Sequence, residues 1–168
     1  ALSFKAVFQW VRGVLFVRAA LRLDRLLSDR VFSALVLRDP EQRWIGLTSR
    51  ARTIMRSTER VPEGDAPATY AELGDARFEG RICLRTSDSV YNSSFVADRI
   101  EKDGPAATER MLRSWMANDP IILGSDVDVL EAIEAGRCDV GLTNHYYLGR
   151  ILADDPDFPV APAWPDQD

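Results

Sequence analysis

The chain contains one histidine, two cysteines and no long apolar run. His145 stands alone, with no serine near it in a nucleophile-elbow sequence. A nucleophile–base pair of Cys138 and His145 is conceivable, but Cys138 reads as a core residue at a strand start. Two cysteines cannot build a cluster of thiolates around a metal. Cys83 and Cys138 leave two readings open, one disulfide or two buried thiols. Both begin apolar runs, Ile82-Cys83-Leu84 and Cys138-Asp139-Val140-Gly141-Leu142, so a bridge needs those strands to be neighbours. A bridge would imply an oxidising compartment. P-loop, G-x-G-x-x-G and H-E-x-x-H patterns are also missing. The carboxylates sit mostly on helix faces and turns, so no catalytic constellation is read and no enzyme is expected. Val14-Leu15-Phe16-Val17, between Arg12 and Arg18, is too short to cross a membrane and forms no clear signal peptide.

What is present suits one α/β domain. The 168 residues are 46% hydrophobic, enough for a core. The net charge of -5 conceals an asymmetry. Residues 1–60 hold twelve Lys/Arg against five Asp/Glu, and residues 61–168 hold nine against twenty-one. The acidic body argues against a nucleic-acid partner. Residues 4–27 read as an amphipathic helix with a wide apolar stripe (Phe8, Trp10, Val11, Val14, Leu15, Val17 and Leu21) that must be covered.

Further along, residues 44–55 read as one long extended segment or two strands with a kink near Ser49. Thr69-Tyr70-Ala71-Glu72 is a capping-box pattern opening a short helix that stops near Gly74. Strands are expected at 82–85, 121–123 and 138–143. Helices are expected from Phe95 to before Gly104, from Pro105 to Asn118, from Ser125 to Gly136, and from Tyr147 to Ala153. Alternating strands and helices imply an α/β layered domain. The loop from Thr86 to Ser94 joins a strand's carboxyl end to a helix start. It reads either as an anion seat or as simple capping by Asn92 or Ser93, and composition favours capping.

If strands 82–85 and 138–143 run parallel, their loops share one sheet edge, and Tyr91 could meet Tyr146 and Tyr147 there. Phenolate is a hard anionic oxygen donor suited to a hard, highly charged cation. Free tyrosine titrates near 10, and a bound trivalent ion favours its ionised form. Three phenolates would cancel a +3 charge, which points to Fe(III). Adjacent strand residues face opposite ways, so the backbone must leave strand geometry at Tyr146 and Tyr147 for both to reach one ion.

These residues also carry a family resemblance. Leu37-Arg38-Asp39-Pro40, Trp44-Ile45-Gly46-Leu47-Thr48-Ser49-Arg50-Ala51-Arg52, Tyr70-Ala71-Glu72-Leu73-Gly74-Asp75, and Arg85-Thr86-Ser87 through Tyr91-Asn92 follow one another in order. Ala135-Gly136-Arg137-Cys138-Asp139-Val140 and Asn144-His145-Tyr146-Tyr147-Leu148-Gly149-Arg150 complete the series. Together they resemble the bacterial periplasmic ferric-iron-binding proteins, the substrate-binding subunits of iron(III) ABC transporters, over residues 35–168. The resemblance implies a single lobe of a type II periplasmic binding protein, with a mixed, mostly parallel sheet flanked by helices. It implies Tyr91, Tyr146 and Tyr147 as metal ligands. Arg85, Thr86, Ser87 and Asn92 would lie at a synergistic anion such as carbonate. An ABC transporter permease as partner and a periplasmic location follow from the same resemblance. Residues 1–34 match nothing in that family, whose chains are longer, so a truncated second lobe is expected. Iron binding would then be weak or lost, or two chains would pair through the open cleft or the N-terminal helix. The rival readings are a small-anion binding module and a non-binding structural remnant that dimerises.

Overall fold

The computed structural model describes residue 41 and residues 50–165. The amphipathic segment at 4–27, the motif at Leu37–Pro40 and the extended stretch at 44–49 lie outside the described residues. The chain divides into two units after Ser49, and the sheet with its helices belongs to the unit from Arg50 onward.

Five strands form one sheet: β1 Arg52–Ser57, β2 Ile82–Arg85, β3 Ile121–Leu123, β4 Val140–Asn144 and β5 Val160–Ala163. Their spatial order is β3-β2-β4-β1-β5. β2 pairs in parallel with both β3 and β4, while β1 runs antiparallel to both β4 and β5. Four strands therefore share one direction and β1 alone is reversed. Among the described residues, four α-helices complete the layers: α1 Val90–Asp103, α2 Pro105–Ala117, α3 Asp126–Glu134 and α4 His145–Asp154.

The pleat alternation sorts the core onto two faces. Ile54, Ile82, Val140 and Leu142 turn to one side, where Phe95 of α1 and Trp115 of α2 cover them. Met55 and Cys83 turn to the other side, against Val129, Leu130 and Ile133 of α3 and Leu148 of α4. Gly141 lies on that second face because α3 crosses very close. A Cβ built there would stand 2.6 Å from Val129 Cγ1 and 2.9 Å from the Cys83 carbonyl oxygen.

Cys83 and Cys138 form a disulfide with their Cα atoms 5.8 Å apart, which decides the question that composition left open. The parallel pairing of β2 with β4 brings the two residues together. Asp139, the next residue, binds Arg60 Nε at 2.5 Å and also accepts from Arg81 Nε.

Most predicted elements stand where the pattern places them. Glu72 accepts from the Ala68 N–H at 3.0 Å and its own N–H donates to Thr69 Oγ1 at 3.3 Å, opening the 3-10 turn Ala71–Gly74. Gly136 ends α3 with φ of 74°. Some boundaries differ, the strand expected at 138–143 running from Val140 to Asn144 and that expected to end at 55 running from Arg52 to Ser57. α1 begins at Val90 rather than Phe95, because Ser89 is its cap and accepts from the Tyr91 N–H. Neither Asn92 nor Ser93 caps it. α4 begins at His145, two residues earlier than expected. The proline-rich tail contributes β5, where Pro162 sits on the outermost strand of the sheet, a position that tolerates it.

Candidate functional site

The parallel strands end on one edge. Arg85 closes β2, Asn144 closes β4, and Arg52 opens β1 directly opposite Asn144. Both tyrosine-bearing helices start from this edge. Tyr91 is the second residue of α1, while Tyr146 and Tyr147 occupy the first turn of α4. The chain thus abandons strand geometry at His145, which frees the adjacent tyrosines from facing opposite ways.

The tyrosines meet. Tyr146 Oη donates to Tyr91 Oη at 3.3 Å, across 55 residues of sequence. The Tyr146 and Tyr147 rings lie 4.3 Å apart between centroids, tilted by 32°. All three side chains are half-buried. Two guanidinium groups face the cluster. Arg85 lies 5.3 Å from the Tyr91 ring centroid and Arg50 lies 5.6 Å from that of Tyr146. The Arg50 charge favours negative charge on the Tyr146 phenol.

The phenols are not equivalent. Burial opposes ionisation of Tyr146, but its hydrogen bonds with Tyr147, Tyr91 and Asn144 and the charge of Arg50 overcome it, so its pKa falls below the usual value. Tyr147 is shifted upward because its phenol is hydrogen-bonded to Tyr146 and Tyr91, with burial and charge on those same neighbours adding to the effect. Of the adjacent pair, Tyr146 therefore ionises before Tyr147.

His145 is occupied elsewhere. Its Nδ1 accepts from the Ala51 N–H at 3.1 Å, and its own backbone N–H donates to the Ala51 carbonyl at 3.0 Å. The single histidine ties α4 to the start of β1. Among the described residues, no group of three or more His, Cys, Asp or Glu converges as a metal site would.

The residues expected to face an anion lie beside the cluster. Asn92 Nδ2 donates to the carbonyls of Arg85 at 2.9 Å and Thr86 at 3.0 Å, so its amide braces the turn. The Thr86 N–H donates to the Leu123 carbonyl. Ser87 is exposed. Pattern reading overlooked Arg50, Arg52 and Asp126. Arg52 and Asp126 form a buried pair at 3.0 Å, and their 74-residue separation leaves no local signal.

A family model described as "bacterial extracellular solute-binding protein" matches residues 25–167. The chain belongs to that family. Its members are binding proteins rather than enzymes. Iron uptake protein A1 of Synechocystis sp. is 37% identical over 124 residues, which is 71% of this chain and 34% of that protein. The Fe(3+)-binding periplasmic protein of Serratia marcescens is 26% identical over 105 residues, 62% of this chain and 30% of that one. Among solved structures, the Trichodesmium protein in complex with iron and citrate superposes with a TM-score of 0.71 at 32% identity. That match covers 79% of this chain and 44% of the other. The chain thus spans about a third of the curated relatives' length and under half of the structural neighbour. The fold is that of one α/β lobe of a type II periplasmic binding protein, as the resemblance implied.

Proposed function

We propose that this lobe binds ferric iron as the cargo of an ABC transporter, through the phenolate oxygens of Tyr91, Tyr146 and Tyr147. The observation that carries the reading is the 3.3 Å contact between Tyr146 and Tyr91, two phenols brought together from separate helix starts. The relatives' names, iron uptake protein and Fe(3+)-binding periplasmic protein, point the same way. A trivalent ion drives ionisation of the phenols, with Tyr146 the easier of the adjacent pair. A synergistic oxyanion would sit against Arg85, Thr86 and Ser87, with Asn92 shaping the turn beneath it. Carbonate fits that place, and a carboxylate of citrate carries the same chemistry. The disulfide suits an oxidising periplasm. The docking partner is the transporter permease. The unit from Arg50 onward acts as the binding lobe.

Calorimetry on the full chain tests this, with ferric iron added as a weak chelate and with bicarbonate present or omitted. Iron binding with proton release is expected, because phenols lose protons to bind the ion. Tyr91→Phe/Tyr146→Phe/Tyr147→Phe should abolish it. Binding of bicarbonate or phosphate alone, unchanged in the triple variant, would make the protein an anion module instead.

A further inference from the structure

Asp126 is fully buried, with no exposed surface. Burying a lone carboxylate is costly, so its partners carry information. It is the first residue of α3, after the Ser125 cap. One oxygen accepts from Arg52 Nη1 at 3.0 Å and from the Asn144 N–H at 3.0 Å. The other accepts from Arg52 Nη2 at 3.3 Å, and Arg85 Nη1 lies 3.7 Å away from it. Arg52 extends the network to Asn144 Oδ1 at 3.2 Å and the Leu142 carbonyl at 3.1 Å.

These donors come from the start of β1, the end of β2 and the end of β4. Two of those segments lead into the tyrosine helices, β4 directly and β2 through residues 86–89. Asn144 immediately precedes α4, and Arg85 lies beneath the Tyr91 ring. Arg85 Nε is buried without a hydrogen-bond partner, and its guanidinium lies against the Asp126 carboxylate and the Tyr91 ring. Two guanidinium groups share one carboxylate, which leaves net positive charge beside Tyr91.

We propose that Asp126 is the positioning residue of the tyrosine site, holding Tyr91 through Arg85 and the Tyr146–Tyr147 turn through Asn144. This inference rests on the reading of those tyrosines as the site. Its work is to keep two helix starts at a spacing that one ion can bridge. A purely structural ion pair would stabilise the sheet without affecting the tyrosines.

The test uses the full, metal-free chain with 13C-labelled tyrosine, so that the outcome is independent of iron. Asp126→Asn keeps the shape and removes the charge. Val129→Ala, on the same helix and equally buried, is the control for lost stability. In Asp126→Asn the ring signals of Tyr91 and Tyr146 should move while those of Val129→Ala stay in place. Ferric affinity, measured separately, should fall about 10- to 100-fold in Asp126→Asn, as for residues that orient metal ligands. A folded Asp126→Asn protein with unmoved tyrosine signals overturns the positioning role. Should Asp126→Asn not fold, Arg85→Lys decides. It keeps a cation near Asp126 and loses the planar stack, so the Tyr91 signal should shift, and an unshifted signal overturns the proposal. Failure of the wild-type protein to bind iron would count against the proposed function alone.

Discussion

Removing the Cys83–Cys138 bridge is the perturbation whose magnitude follows most directly from the structure. The bridge closes a loop whose ends are 55 residues apart, containing β2, α1, α2, β3 and α3. In the chain-entropy picture, a loop of that size restricts the unfolded chain by about 14 cal/mol/K, or about 4 kcal/mol at 25 °C. Domains of this size are stable by about 5–15 kcal/mol, so the bridge is a large share. Cys83→Ala/Cys138→Ala is the right variant, because both sulfurs are buried and serine would add unsatisfied hydroxyls. With a urea slope of about 2 kcal/mol/M, the unfolding midpoint should drop by about 2 M. Circular dichroism across a urea gradient reads this for the full chain, oxidised and substituted. A drop under about 0.5 M would mean the two strands are held by packing alone, and the entropic argument would fail.

Gly141→Ala should destabilise by about 1–3 kcal/mol in the same urea assay, since the new methyl meets Val129 and a backbone oxygen that cannot yield. A neutral result would show that α3 shifts freely. The phenolate absorbance of the metal-free protein should rise in spread steps, beginning below the usual tyrosine value near 10 and finishing above it. The lowered Tyr146 stabilises the folded state above that value, an effect lost as pH falls through its folded pKa. The raised Tyr147 stabilises below that value, an effect lost as pH rises through its own. The two oppose each other around pH 10, so stability near neutrality should be insensitive to both. Tyr147→Phe removes a donor to Tyr146 and should move the first step upward. One unbroken step near 10, for wild type and variant alike, would contradict the coupled cluster.

Local chemistry in the sequence carries most of the fold. Gly136, Pro105 and the Thr69–Glu72 box act within a few residues, and their elements fall where expected. The start of α1 was hidden because Tyr-Asn-Ser-Ser competes with helix through its side chains, while Ser89 and the Asn92 brace settle it. β5 was hidden by Pro162, which only an outermost strand accommodates. At the site, the three tyrosines were legible as a juxtaposition once β2 and β4 were taken as parallel. Arg50 over Tyr146 and the Arg52–Asp126–Arg85 network were not legible. Those contacts join residues far apart in the chain, and no periodicity records them.

The most direct test of iron in the tyrosine site is visible absorption of the full chain titrated with ferric iron. Phenolate bound to iron gives a visible charge-transfer band. The band should appear as iron is added, saturate, and disappear in Tyr91→Phe/Tyr146→Phe/Tyr147→Phe with the fold intact by circular dichroism. A folded wild-type protein that takes up iron without the band, or a triple variant that keeps it, would contradict ligation by these tyrosines.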